Sequence, residues 1–480
     1  MTSLPSSRRS PALLVALGTL GCVAAAVGLS HGSTASRGPA AGTATTSVVS
    51  SSSAGVVGNG ASSLVDAQPG LLAFDSTATN LSPAATSGVR QSYVKATSGA
   101  LTLASTTATA QGATGVGFSP DGGRYAFVAR GGITGTATGP QAYVRTLGSG
   151  ALTLVSGASS TPVANTGLSV TTAGFSSSGN RLAFAARDTS YGAGWQVLVK
   201  DLASGALTLA SVTSSGRPIA STAEAPPTVA VSPDGSDVYF DTQAAKVVAG
   251  APAGQVYRRD LAGASTSAVS RDASGVACRG TLDAVLATGR VVFDSGGACA
   301  AGVPRAKGNV FVTSATGSGT AVVSASATGT PSDELSAYGA ASADGSLVAF
   351  TSFGTTLGVV GVLNTTPQIY VKNLGTGSLT WVSRPPSGSN TGKNVTPTRA
   401  MEFAPGGASL VFTSKTTNLV SPSPTVQTAY RRELTAGKTT VVGLDAAGTP
   451  VSSPSVRAVD ATSVAFTDDS AHQVLLRTLP

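Results

Sequence analysis

Short apolar stretches closing on phenylalanine recur along this chain. They read LLAF, RYAF, RLAF, DVYF, RVVF, LVAF, SLVF and SVAF, and end at Phe74, Phe127, Phe184, Phe240, Phe293, Phe350, Phe412 and Phe466. Successive gaps are 53, 57, 56, 53, 57, 62 and 54 residues, so eight of the 13 phenylalanines share one repeat position. A fixed period of this size marks a repeat architecture. Within each unit the order is constant. A short apolar segment runs into a turn such as FSPDG (118–122), VSPDG (231–235), ASADG (341–345) or FAPGG (403–407). Pro fixes φ at such a reversal and Gly accepts φ > 0. The Phe strand follows, and after a variable loop comes a third strand: QSYVK, QAYVR, QVLVK, QVYRR, NVFVT, QIYVK, AYRRE and QVLLR. A Gly turn and a β-rich segment such as ALTLVS (151–156) or SLTWVS (378–383) complete the unit.

Four short strands rich in Val, Leu, Thr and Tyr, without helical periodicity, describe one antiparallel sheet per unit. Repeats of this length and strand content indicate propeller blades, which bury their faces by stacking radially. The eighth unit stops at Pro480 after its third strand, whereas residues 45–60 align with the fourth strand and exit loop at 152–167. The expected fold is all-β: an eight-bladed propeller of four-stranded antiparallel blades over residues 44–480, with an N-terminal strand completing the last blade. Such closure removes two sheet edges that would otherwise invite aggregation.

A repeat of SPDG, then VAF, then a QVYVRDL-like strand with a Gly turn, then TLVS, resembles the TolB-like, WD-repeat-like propeller family of bacterial exported proteins. The resemblance covers about residues 45–480. It implies the fold and says little about the role, since propellers host many functions. Members of the family often place Asp and Asn between the second and third strands and Asp at the head of the third, a calcium-loop chemistry. Here those loops read SPAATSGVR (82–90) and SPSPTV (421–426), and Gln91, Gln141, Gln196, Gln255, Gln368 and Gln473 head the strands. Neutral amides stand in for the carboxylates that a hard cation needs, so no metal or cofactor is expected.

Residues 1–35 read as an export segment, either a signal peptide or an uncleaved membrane anchor over 12–29. Arg8 and Arg9 precede an uncharged apolar run from Pro11 to Leu29, and Ser33-Thr34-Ala35 offers a cleavage site. Cys22 fits a lipid-anchor pattern poorly, because Thr19 stands where Leu is wanted. Residues 36–43 read as a linker. Charged residues make up only 11% of the chain, and beyond the export segment 28 basic residues face 22 acidic ones, a net charge of +6. That excess is too dilute for nucleic acid. The expected location is outside the cell or on the surface of a bacterium, with membrane contact only through the N-terminal anchor, and a monomer is expected.

Candidate chemistry is sparse. Cys278 and Cys299 are the two cysteines beyond the export segment and suggest one disulfide in an exported chain. Lys95, Arg145, Lys200, Arg259, Lys372, Arg432 and Arg477 share one position near the end of the third strand, with Thr313 the exception. They form a basic ring, read either as stems laid on apolar strand with local partners or as a weak contact for polyanions. His31 lies in the export segment and His472 in a loop, which argues against a His-ligated metal or a Ser-His-Asp triad. Gly28-Leu29-Ser30-His31-Gly32 lacks the context of a nucleophile elbow, and Gly437-Lys438-Thr439 lies on a strand turn without a helix after it. Among the acids, Glu224, Asp333 and Glu334 fall in loops. Asp66, Asp283, Glu402 and Asp460, with Arg399 and Arg457, fall on or beside axis-lining strands, where channel salt bridges account for them. The resulting expectation is a non-catalytic exported propeller that binds, or serves as a scaffold for, a protein or an envelope polysaccharide. The alternative is a propeller enzyme acting on polysaccharide through the central channel.

Overall fold

A computed structural model of the chain describes residues 43–480 apart from 86–87, 106–111, 132, 134–138, 159–160, 163–166, 172–173, 189, 222–224, 273, 298, 301–302, 304–306, 315–318, 359–366, 389–400 and 454. The export segment, Glu224 and Arg399 therefore lie outside the described residues. Each repeat forms one four-stranded antiparallel sheet. Blades 1 to 7 occupy residues 62–103, 113–154, 167–209, 229–268, 281–322, 336–381 and 401–441. Blade 8 takes its first three strands from Val456–Ala458, Ser463–Asp468 and Gln473–Thr478, and its fourth from Thr45–Val48. That strand pairs antiparallel with the third, from Thr45 opposite Thr478 to Val48 opposite Leu475. The eight-bladed, strand-closed propeller is the fold read from the repeats.

The second and third strands of a blade are covered on both faces by the neighbouring blades. Almost every residue of Leu71–Ser76 and Gln91–Ala96 is buried, which is why these strands appear in the sequence as continuous apolar runs and not as alternations. The repeat phenylalanine sits at the middle of this layer. It faces an aromatic ring on the third strand in blades 1, 2, 4, 5, 6 and 7, as in Phe74–Tyr93 with centroids 5.4 Å apart and Phe412–Tyr430 at 5.7 Å. In blades 3 and 8 the partners are Leu198 and Leu475.

The amide that heads the third strand also has a structural partner. Ser211 Oγ donates to Gln196 Oε1 at 2.7 Å and accepts from the Val197 N–H at 2.9 Å, which fastens the end of the fourth strand to the start of the third. The same lock joins Ser105 to Gln91, Ser156 to Gln141, Ser270 to Gln255, Ser324 to Asn309, Ser383 to Gln368 and Ser50 to Gln473. Neutral amides at these positions are thus acceptors for a serine hydroxyl.

Cys278 and Cys299 form a disulfide with Cα atoms 5.7 Å apart. It ties the connection entering blade 5 to the loop between that blade's second and third strands. Closing a loop of 21 residues' separation restricts the unfolded chain, so replacing both cysteines by serine is expected to lower the unfolding free energy by about 3 kcal/mol. Denaturant titration measures this, and thiol titration of the native 44–480 chain should find no free thiol.

Candidate functional site

The first strands of the blades form the innermost layer. They pack on one another from blade 4 round through blade 8 to blades 1 and 2. At the register position opposite the residue before the repeat phenylalanine, this layer is made of small side chains: Gly117, Ala230, Ala284 and Ala340, with Gly174 beside the Phe175–Leu182 bridge. Three consecutive blades depart from that rule. Glu402 of blade 7 stands opposite Val411, Arg457 of blade 8 opposite Ala465, and Asp66 of blade 1 opposite Ala73. A belt of glycine and alanine around the axis therefore carries one charged sector.

Arg457 sits between the two acids. Its Nε lies 3.8 Å from Asp66 Oδ1 and 3.7 Å from Glu402 Oε2, longer than the roughly 2.7–2.9 Å of a tight charge-assisted hydrogen bond. Asp66 is held more firmly. A register shift between Leu64 and Asp66 re-aims the strand there. Its Oδ2 accepts from the Phe118 N–H of blade 2 at 2.8 Å and its Oδ1 from the Ala67 N–H at 2.9 Å. Burial raises the Asp66 carboxyl above its ordinary range, while Phe118, Arg457 and Ala67 oppose the shift. Burial also raises Glu402, to about 8. Arg457 pulls against this, the like charge of Asp66 adds to it, and the Ala458 N–H opposes it. Protein surrounds Glu402, yet 35% of its side chain stays exposed. One arginine only partly offsets the desolvation of two carboxylates, so Glu402 binds its proton more tightly than an ordinary glutamate. A partly exposed acid poised there suits general acid or base chemistry.

The other acids singled out in the sequence have local partners. Asp460, despite partial burial, is kept low by the Thr462 and Ser463 hydrogen bonds of a turn. Asp333 accepts from the Thr355 and Thr356 N–H groups, and Glu334 pairs with Lys307 at 2.7 Å. Asp283 is the inserted residue where the register of blade 5 shifts between Leu282 and Ala284. His472 adopts φ of 54° in the tight turn before the third strand of blade 8, and its carbonyl accepts from the Ser62 N–H.

Six of the seven cations of the ring turn, directly or through a threonine, to the preceding blade. Lys95 Nζ donates to the carbonyls of Ser51 and Ser52 at 2.8 Å, Lys200 to Gly157 at 2.9 Å and Lys372 to Ala325 and Ser326 at 3.1 and 2.8 Å. Arg145 Nε reaches the Ala104 carbonyl at 2.7 Å. Two arginines act through a threonine. Arg259 donates to Thr266, whose hydroxyl donates to the Val212 carbonyl, and Arg477 donates to Thr46, whose hydroxyl donates to Leu444. Arg432 donates to Thr439 at 2.9 Å, and no onward bond leaves Thr439 among the described residues. Blade 5, which has Thr313 instead, is the blade that carries the disulfide.

No family model and no curated protein matches the chain. Solved structures similar to it include an oligogalacturonate lyase in complex with manganese, 14% identical, with 76% of this chain and 88% of that chain covered and a TM-score of 0.44. A prolyl endopeptidase is 11% identical, with 80% of this chain and 49% of that chain covered and a TM-score of 0.48. A TolB-like protein from Agrobacterium tumefaciens is 14% identical, with 58% and 83% covered and a TM-score of 0.32. The expectation that the protein is non-catalytic is corrected at this point: enzymes stand among the propellers to which the chain is similar, and Glu402, read in the sequence as part of a channel salt bridge, is held only loosely by Arg457.

Proposed function

We propose that the charged sector of the axial belt is an active site, and that the protein acts on an extracytoplasmic polysaccharide through its central channel by proton transfer. The observation that carries this reading is the convergence of Glu402, Arg457 and Asp66 at one register position of three neighbouring blades. Glu402 is the proton donor and acceptor. Arg457, loosely held on both sides, is free to neutralise a carboxylate or a developing oxyanion on the substrate. Asp66 is a positioning residue, fixed by two backbone N–H groups and aimed at Arg457. The disulfide is consistent with an extracellular location.

The test is turnover on a panel of neutral and acidic polysaccharides, read as new reducing ends and as ultraviolet absorbance of unsaturated uronate ends. Glu402→Gln is expected to lower turnover by at least about 100-fold while leaving binding in place. Arg457→Gln is expected to weaken acidic polymers more than neutral ones. A wild-type protein that turns over no polymer, or a Glu402→Gln variant as active as wild type, overturns the reading.

A further inference from the structure

At the junction of blades 6 and 7 the ring cation departs from the rule that its six counterparts follow. Elsewhere a ring cation, directly or through a threonine, ends on a carbonyl at or just past the fourth strand of the preceding blade. The residue one past the lock serine supplies that carbonyl at Ser51, Gly157, Val212 and Ala325, and Leu444 follows Gly443 at the same place in blade 7. Its counterpart after Ser383 is Arg384, followed by Pro385 and Pro386. Here Arg432 does not reach the preceding blade. Its side chain is buried, with 7% of the residue exposed, yet its Nε has no hydrogen-bond partner among the described residues.

In place of the missing contact there is a pocket of about 500 Å³, lined by Arg384, Arg432 and Lys438 together with Thr439 and Ser421. Among the described residues no acidic side chain lines it. None of the three cations has a carboxylate partner among the described residues. Burial, and then the like charge of Arg384, makes the protonated form of Arg432 harder to hold. Three positive charges around one cavity repel one another unless an anion lies between them. Two guanidiniums, an ammonium and a hydroxyl lining one pocket supply donors for the oxygens of a tetrahedral oxyanion. We propose that this pocket is an anion site on the outer part of the ring, taking a phosphate or sulfate group, either free or carried by a polymer. It lies on different blades' strands from the axial belt's charged sector in all but blade 7 and is independent of the reading given for that sector.

Calorimetric titration of the 44–480 chain with inorganic phosphate and with sulfate at low ionic strength tests the proposal. Binding is expected in wild type and is expected to fall by at least about tenfold in the Arg384→Gln, Lys438→Gln double variant, whose side chains are exposed and whose fold is checked by circular dichroism. Arg432→Lys, which keeps the charge and loses the fork, is expected to weaken binding severalfold. A polymer bearing phosphate groups distinguishes the source. Polymer binding displaced by inorganic phosphate and lost in the double variant assigns the site to the polymer, and binding of the free anion alone assigns it to the free anion. An absence of binding in wild type, or equal affinity in wild type and the double variant, overturns the proposal.

Discussion

A chain lacking residues 44–52 is expected to lose about 5 kcal/mol of unfolding free energy and to aggregate. The segment supplies four paired residues along Gln473–Thr478 and the buried Val49, together with the Ser50 lock on Gln473. Burial of Val49 is worth about 2 kcal/mol. The larger share comes from Lys95. Its ammonium, 7% exposed as a residue, loses the Ser51 and Ser52 acceptors, hydrogen bonds to a charged group worth about 3 kcal/mol together. The strand at 473–478 then becomes an open edge. Urea titration and light scattering measure the two effects, and Lys95→Met in the shortened chain is expected to restore part of the loss. A denaturant midpoint equal to that of the full chain would remove the segment from the ring.

The second large effect concerns pH. Asp75, on the second strand of blade 1, accepts from the Gly115 N–H of blade 2 at 2.9 Å. Burial raises its carboxyl from 3.8 to about 6, against the opposing Gly115 and Ser92 hydrogen bonds. An acid raised on folding binds its proton more tightly in the native state. Its contribution is complete below pH 3.8 and is lost as pH rises through about 6. Glu402 behaves alike between 4.5 and about 8. Asp234, drawn down to about 2 by Ser232 and Ser236, changes only in stronger acid. The protein is therefore expected to gain stability on acidification from about pH 7 to pH 5, with Asp75 alone giving about 1 kcal/mol. Urea unfolding at the two pH values checks it. Asp75→Asn should flatten the lower part of this rise and Glu402→Gln the upper part. Stability that falls over the same interval contradicts the burial of these acids.

The blades were legible because their central strands are hidden on both sides, which forces a continuous apolar run and a phenylalanine at one spacing. The Gln196–Ser211 lock was not legible, since a serine at a strand end and a glutamine at a strand head each look like ordinary polar punctuation. Only the fold brings them together across 15 residues. The ring of cations was visible as a position, but its direction was not. Lys200 is 1% exposed and its stem runs inward to a backbone carbonyl, a target that no side-chain pattern records. Glu402, Arg457 and Asp66 were each placed near the axis by their strands. Their grouping required the register: counted back through the hairpin from the phenylalanine, all three fall where the other blades have Gly or Ala. The hairpins differ in length, with Glu402, Arg457 and Asp66 standing 10, 9 and 8 residues before their phenylalanines, so the strand pairing was needed to align them.

The pairing of Thr45–Val48 with Gln473–Thr478 also sets an order of events. Seven blades form from hairpins between near neighbours in the chain, contacts that close quickly. The eighth joins residues more than 400 positions apart, and such distant contacts are slow to find. Until synthesis reaches the final strand, the early segment has no partner and the growing arc has two sticky ends. Folding of this protein is thus a race between sealing the circle within one molecule and joining the open arcs of two, and dilution should decide the winner.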